Sequence, residues 1–431
     1  VNVRPDRRLV IVVRADPVIC GHSGEARNLA EAALHRGFDD VRILSWPIER
    51  LQATGLPLKP LDSILPYSPG ITVERPDPVG DYKVPDGRYL AGLTGRLVEL
   101  FTDGVPTVCL SLYLSPHTVA VTDAVRAARD TGLPMDVVTL AEAVGSDVTN
   151  VVRSCVESGR YGAAAHLLSS YLAQDHCLAV SEYTREMIIE EAALLDLQHG
   201  TTFAARCRER IGISYPAIDT SAFLDLDPAE TRSRLAGRGL EPGGYVLFLS
   251  RLSSAKGVED LIAGYAASRA KARVQLVIAG RGPAEEELRR VAAQSPLADR
   301  IHFLTDVDDA EKPHLMAGSA AYVLASKPQK DFIETFGIAL TESMLAGGGP
   351  VVTTDVGGIL EAVGPWAAIV PHSDPAAITA AIDHAIYDMT DEQRFQLAAH
   401  ARDHALQFDR LAIFDRMMAR LEVPQSVQAP A

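Results

Sequence analysis

Short apolar runs of strand length alternate with helical stretches along this chain, and that alternation restricts its fold more than any other feature. Leu9–Arg14 (LVIVVR) leads through a glycine-containing turn into the helical stretch Glu25–Arg36. Val41–Ser45, Val105–Tyr113, Asp136–Leu140 and Cys177–Ser181 repeat the pattern, and Thr184–Leu195 sets Ile188, Ile189 and Ala192 on one helix face. A second series follows: Tyr245–Ser250, Val274–Ala279, Ile301–Leu304, Ala321–Ala325 and Val351–Thr353. Beyond Ala368–Pro371, the segment from Asp374 to about Glu422 reads as helix. Continuously apolar strands separated by helices call for parallel sheets covered on both faces. The expectation is an α/β chain of two doubly wound domains facing a cleft.

Length supports two domains, since 431 residues exceed one ordinary core. Residues 225–244, rich in Asp, Pro and Gly, read as the linker between domains at 1–224 and 245–400, and Pro424–Ala431 as a frayed tail. A net charge of −15, with no basic run, disfavours nucleic acid and anionic lipid as partners. No apolar stretch approaches the roughly 20 residues of a membrane span, and no secretory leader is evident. Five scattered cysteines without CxxC spacing argue against a zinc knuckle or disulfide framework and suit a reducing, cytoplasmic setting.

The stretch Leu56–Gly87 carries seven prolines and cannot be helix or central strand. It reads either as a surface excursion between two βα units or as a long functional loop.

Chemistry concentrates in the second half. Glu334 and Glu342 stand eight residues apart, followed by Gly347, Gly348, Gly349 and Pro350. On one helix they would be ~12 Å apart along the axis and ~80° apart in azimuth. Glu334 would sit at or before the helix start, beside the amides of Phe336, Gly337 and Ile338, where backbone donors and the macrodipole favour anions. Two carboxylates flanking an anion site could hold hydroxyls on either side of a diphosphate. An amphipathic helix with solvated glutamates has the same spacing. Arg251 and Lys256, in Ser250–Gly257, stand at a strand's C-terminal end, where open α/β sheets bind ligands. They suit a diphosphate, or face water as a basic loop. Gly280, Gly282, Gly357 and Gly358 also close strands, either for backbone approach to a ligand or as simple turns.

The series S-R-L-x3-K-G, A-G-x-G-P, E-x-F-G-I-x3-E and V-G-G, in order across Tyr245–Gly364, resembles the retaining GT-B glycosyltransferases of family four. Ala179–Arg185 and Pro216–Phe223 resemble that family's V-S-x3-R and P-x2-D-x3-F stretches more loosely. The resemblance implies two Rossmann-like domains, an N-terminal one for acceptor and a C-terminal one for donor, with residues 401–431 packing back on the first. It implies Arg251, Lys256 and Glu334 as catalytic residues: the cations on the donor diphosphate, Glu334 by the sugar hydroxyls. Phe336, Gly337 and Ile338 would line the sugar and phosphate, and Glu342 would bind the ribose. Gly21 and Gly24 would form a glycine loop on the phosphate and acceptor side, with His22 and Glu25 as further contacts.

One departure stands out. Where the family often has a histidine, in V-x-T-x-H-[DE], this chain reads Val138-Thr-Leu-Ala141-Glu142. Glu142 remains as a possible sugar or acceptor contact, and His117 is a substitute histidine from a neighbouring strand end. Asp306, Asp308 and Asp309 read as a solvated loop, with no metal expected. No cofactor is implied beyond a nucleoside-diphosphate sugar as co-substrate. The expected activity is retaining transfer of a hexosyl group from a UDP- or GDP-sugar to a small hydrophilic acceptor, specialised-metabolite biosynthesis being one setting. A GT-B sugar phosphorylase, a nucleotide-sugar epimerase and a non-catalytic nucleotide-sugar binder are the alternatives.

Overall fold

The computed structural model describes residues 6–55, 57–80, 85–330 and 332–422. Contacts divide the chain into two compact units. One takes residues up to Val180, Thr184–Ala217 and the segment from Phe408; the other takes Ser181–Tyr183 and Ile218–Gln407.

The first unit holds a seven-stranded sheet built from β1 (Arg8–Val12), β2 (Asp40–Leu44), β3 (Ile71–Glu74), β4 (Thr107–Leu112), β5 (Val137–Ala143), β6 (His176–Ala179) and β7 (Ile211–Ile213). Its order is β3-β2-β1-β4-β5-β6-β7, and the paired strands run parallel. β1 shows why its apolar run is continuous rather than alternating. Leu9 and Ile11 pack into a core with Leu29, Ala33 and Phe414, whereas Val10 and Val12 pack into a second core with Leu97, Phe101 and Ala124. Both faces are covered, so every residue of the strand is buried.

The second unit holds a six-stranded parallel sheet: β8 (Tyr245–Leu249), β9 (Gln275–Ala279), β10 (Ile301–Leu304), β11 (Ala321–Leu324), β12 (Val351–Thr354) and β13 (Ala368–Val370). Its order is β10-β9-β8-β11-β12-β13. In each sheet the chain works outward in one direction and then restarts on the other side of its first strand. The switch points lie between β1 and β4 and between β8 and β11, and strand C-termini at such points are where open α/β sheets take ligands.

Three expectations need correction. The proline-rich stretch contains β3, an edge strand; Val41 pairs with Ile71 and Leu44 with Glu74 before Pro76 ends the ladder. Residues 225–244 are not a free linker. Asp227 caps the helix Pro228–Gly237 through the Ala229 amide at 2.9 Å, and Thr231 meets His314 at 2.7 Å, which fastens the segment to the second unit. Residues 401–407 likewise stay with the second unit. Arg402 donates to the carbonyls of Leu345 and Ala346, capping the C-terminus of the helix Ile338–Ala346. The return to the first unit begins at Phe408, and the helix Arg410–Ala419 lies along the helix Gly21–His35. Phe414 meets Phe38 edge-on at 5.6 Å, and Asp415 takes a two-pronged bond from Arg36. The tail Pro424–Ala431, with residues 56 and 81–84 of the proline-rich stretch, lies outside the described residues. No helix among the described residues is long and apolar enough to cross a membrane.

Candidate functional site

Beyond β8 the chain crosses the sheet edge as Ser250–Gly257 and then enters the helix Val258–Ala267. Beyond β11 a long loop runs to Gly337, where the helix Ile338–Ala346 begins. These two loops flank the switch point, and they bring Arg251, Lys256 and Glu334 together. Phe332 is the hub. Its ring centroid lies 5.5 Å from the Arg251 guanidinium carbon and 5.1 Å from the Lys256 ammonium, so one aromatic ring serves two cations. Lys256 donates to Glu334 Oε2, which also takes a bond from the Ser326 hydroxyl at 3.4 Å. The Lys256 and Glu334 side chains are only 8% and 12% exposed, so this pair is held in a largely desolvated seat. Arg251 has no carboxylate of its own among the described residues.

Glu342 lies on the Ile338–Ala346 helix and binds Lys312 at 2.6 Å. Burial works against the Lys312 charge, but the Glu342 carboxylate outweighs it and raises the ammonium above its ordinary value. The Tyr322 hydroxyl donates to the Leu249 carbonyl at 2.8 Å; burial, then Glu342 and Glu334, push it well above the usual tyrosine range. Both glutamates therefore lie in the electrostatic surroundings of one β11 side chain.

Glu334 precedes the helix start, as expected, so the spacing worked out for both glutamates on one helix does not apply. Gly337, at φ 101°, is the residue before the helix, and Glu334 lies upstream in the loop. Phe336 is buried and Gly337 caps the helix, so the loop delivers its backbone to the helix start. Gly357 holds Glu334 in place: at φ +66°, any Cβ there would meet the Glu334 carbonyl at 1.9 Å. Gly280 packs the β8 and β9 loops together; its Cβ would meet the Ser250 carbonyl at 2.0 Å, and a similar clash holds for Gly282 with Leu252. These two glycines serve backbone packing.

In the first unit, Gly21 and Gly24 are not in a loop. They belong to the first turn of the helix Gly21–His35, both exposed, and a Cβ at Gly24 would meet nothing within 4 Å. Glu25 and Glu142 face each other in the interior, 3% and 0% exposed. Burial pushes Glu25 up to about 7, with the Ala217 backbone and the Glu142 carboxyl pulling the other way. Burial, then the Glu25 charge, pushes Glu142 well above the carboxylate range. Burial raises both carboxyls, and at this depth neither lies on an exposed surface of the first unit.

His117 is likewise unavailable. It is 1% exposed, its Nδ1 lies 2.7 Å from the Leu112 carbonyl and its Nε2 lies 3.1 Å from Trp46 Nε1. The indole can only donate, so Nε2 accepts and Nδ1 carries the proton to Leu112. Burial holds the ring neutral, lowering it to about 4. Ala141, at the position of the missing histidine, is fully buried. His22 stays partly open and meets Tyr113 edge-on at 6.0 Å. Of the aspartates after β10, Asp306 pairs with Arg238, and Asp308 accepts from the Glu311 amide.

Sequence reasoning missed Phe332, Ser326 and Lys312. Lys312 follows the aspartate run, and its distance from Glu342 in sequence hides the pairing.

Residues 238–404 match the family described as glycosyl transferases group 1. The chain is 28% identical over 256 residues to the D-inositol 3-phosphate glycosyltransferase of Jonesia denitrificans, covering 54% of this chain and 58% of that protein. It is 28% identical over 207 residues to the mannosylfructose-phosphate synthase of Agrobacterium fabrum, covering 46% and 41%. The aligned regions thus span about half the length of these curated relatives. Among solved structures, Anabaena HepE in complex with UDP and glucose superposes with a TM-score of 0.68 at 18% identity, covering 96% of this chain and 99% of that one. The sucrose-phosphate synthase of Thermosynechococcus elongatus gives 0.65 at 20% identity, covering 96% and 98%. These likenesses make the fold GT-B.

Proposed function

We propose that this chain, whose residues 238–404 belong with the group 1 glycosyl transferases, moves a hexosyl group from a UDP- or GDP-sugar to a small hydrophilic acceptor with retention at the anomeric carbon. The observation that carries the reading is the Arg251–Phe332–Lys256–Glu334 cluster at the switch point of the second sheet, beside a helix start and one helix away from the Glu342–Lys312 pair. Arg251 offers a planar fork and Lys256 a point charge to the two phosphates. Glu334, released from Lys256 by the competing phosphate, accepts from sugar hydroxyls. Glu342, bound by Lys312, accepts from the ribose.

As the anomeric C–O bond breaks, negative charge grows on the leaving diphosphate. Fixed cations and the helix N-terminus stabilise it without reorganisation, the kind of contribution that dominates many enzymes. The acceptor attacks from the face the diphosphate leaves, and a departing phosphate oxygen takes the acceptor's proton. No step requires a metal, since the protein supplies the positive charge.

The test is a thermal-shift series with UDP, GDP, ADP and dTDP, followed by product analysis with the matching nucleotide sugar. Stabilisation by one nucleotide and release of that nucleotide with acceptor support the reading. Stabilisation without transfer or slow hydrolysis would make the protein a binder. Turnover with free phosphate in place of a nucleotide would make it a phosphorylase, and no response to any nucleotide overturns the proposal.

A further inference from the structure

The first sheet has its own switch point, between β1 and β4, and a second cation stands there. Arg14 follows β1 and is the only partly exposed residue in an otherwise buried stretch from Val12 to Val18. Its guanidinium carbon lies 5.0 Å from the ring centroid of Tyr113, which follows β4. Among the described residues no hydrogen bond or ion pair reaches that guanidinium. Arginine cannot shed its charge, so a half-buried guanidinium without an anion is an electrostatic demand that the fold leaves open.

The surroundings do not meet that demand. His117 is neutral, and burial holds the Tyr113 hydroxyl above its ordinary value, hence protonated. Asp147 is fully buried and accepts from the amides of Leu114, Val144 and Gly145. Neither carboxyl of the buried Glu25–Glu142 pair forms an ion pair with Arg14 among the described residues. Tyr113 itself sits at φ 93°, a left-handed backbone that a non-glycine side chain adopts at a cost of about 1–3 kcal/mol and that tends to mark functional positions. Beyond Tyr113, His22 stands in the first turn of the helix Gly21–His35. That turn has no acidic residue, and the buried Ser23 hydroxyl lacks a hydrogen-bond partner among the described residues.

We propose that Arg14, with Tyr113 and the start of the Gly21–His35 helix, holds the anionic group of a phosphorylated acceptor, so that this chain glycosylates a phosphate ester and not a neutral polyol. The inference rests on the glycosyl-transfer reading and specifies its acceptor. The fork of Arg14 takes two phosphate oxygens, the Tyr113 ring fixes the guanidinium plane, and the helix amides complete the seat. The phosphate could come from a soluble sugar phosphate or from a lipid headgroup.

Two probes separate these sources: a hexose 6-phosphate against the free hexose in titration calorimetry, and phosphatidylinositol against phosphatidylcholine vesicles in co-sedimentation. Wild type is expected to bind one phosphate-bearing probe at least tenfold more tightly than its uncharged counterpart. Arg14→Gln should lose that preference and Arg14→Lys should keep part of it, while the nucleotide-induced thermal shift stays unchanged in both. A preference for the hexose phosphate identifies a soluble acceptor, and one for phosphatidylinositol a lipid headgroup. His22→Ala, at a partly exposed position, gives a second variant should Arg14→Gln fold poorly; it is expected to weaken the same preference. Equal binding of charged and uncharged probes by wild type, or a preference that survives Arg14→Gln, overturns the inference. Loss of the nucleotide shift in wild type overturns the glycosyl-transfer reading instead, leaving the phosphate result standing.

Discussion

Glu25→Gln is expected to stabilise the first unit, and the pH dependence gives the test its sign. The Glu25 carboxyl is raised from 4.5 in the unfolded chain to about 7 in the fold, chiefly by burial. Between those values the folded protein binds the proton more tightly than the unfolded chain. Stability therefore falls as pH rises from 4.5 to 7 and levels off above. At about 1.36 kcal/mol for each tenfold, the full penalty is about 3 kcal/mol at pH 8. A neutral amide of the same shape removes it and can donate to Glu142. The variant should thus exceed wild type by up to about 3 kcal/mol at pH 8, with the gap closing toward pH 4.5. Urea unfolding followed by Trp46 fluorescence, in a Trp366→Phe background, reports on this unit alone. At a slope of about 2–3 kcal/mol per molar urea, the midpoint should move by about 1 M. A wild-type midpoint that does not fall between pH 5 and 7.5, or a variant that unfolds before wild type at pH 8, refutes the reasoning.

Lys256→Met alone should lose turnover by at least a hundredfold and also cost about 3 kcal/mol, because Glu334 becomes an uncompensated, nearly buried charge. Adding Glu334→Gln should restore the unfolding midpoint but not turnover, which steady-state assays and denaturation on the same samples would separate. Lys312→Met should raise the donor KM about tenfold with kcat within about threefold, a loss of about 1.4 kcal/mol of ground-state binding; a fall in kcat alone would count against a ribose role for Glu342. Gly280→Ala should destabilise the second unit by more than about 2 kcal/mol, since both its φ of +133° and the Ser250 carbonyl exclude a methyl group. An unchanged melting temperature would show that the two loops can part.

Which parts of this molecule could be read in advance depends on distance along the chain. Strands such as β8 and β9 are apolar runs, and basic or glycine-bearing turns follow them directly, so Arg251 and Lys256 could be placed by strand end and Glu334 by the start of the helix that follows it. β3 and β7 escaped because four and three residues give too little pattern, and prolines surround the former. The Glu334–Glu342 geometry failed at Gly337, whose left-handed turn no helical wheel anticipates. Glu25 and Glu142 read as possible contacts from the family's motifs, and His117 as a stand-in for the histidine those motifs lack here. Their burial is decided by partners such as Trp46 and Ala217, which no local spacing reveals. Phe332 and Lys312 arrive from separate elements and become visible only when those elements meet.

The segment beginning at Phe408 carries Ile413, Phe414 and Met417 into the core that also holds Leu9, Leu29 and Phe38. A ribosome releases Leu9 first and Phe414 some four hundred residues later. The half of the molecule that is synthesised first must then remain an incomplete, sticky intermediate while the half that is synthesised later already has all its own parts. Vectorial translation would finish the second sheet before its elder neighbour, and nascent chains stalled before Phe408 should depend on chaperones for as long as they wait.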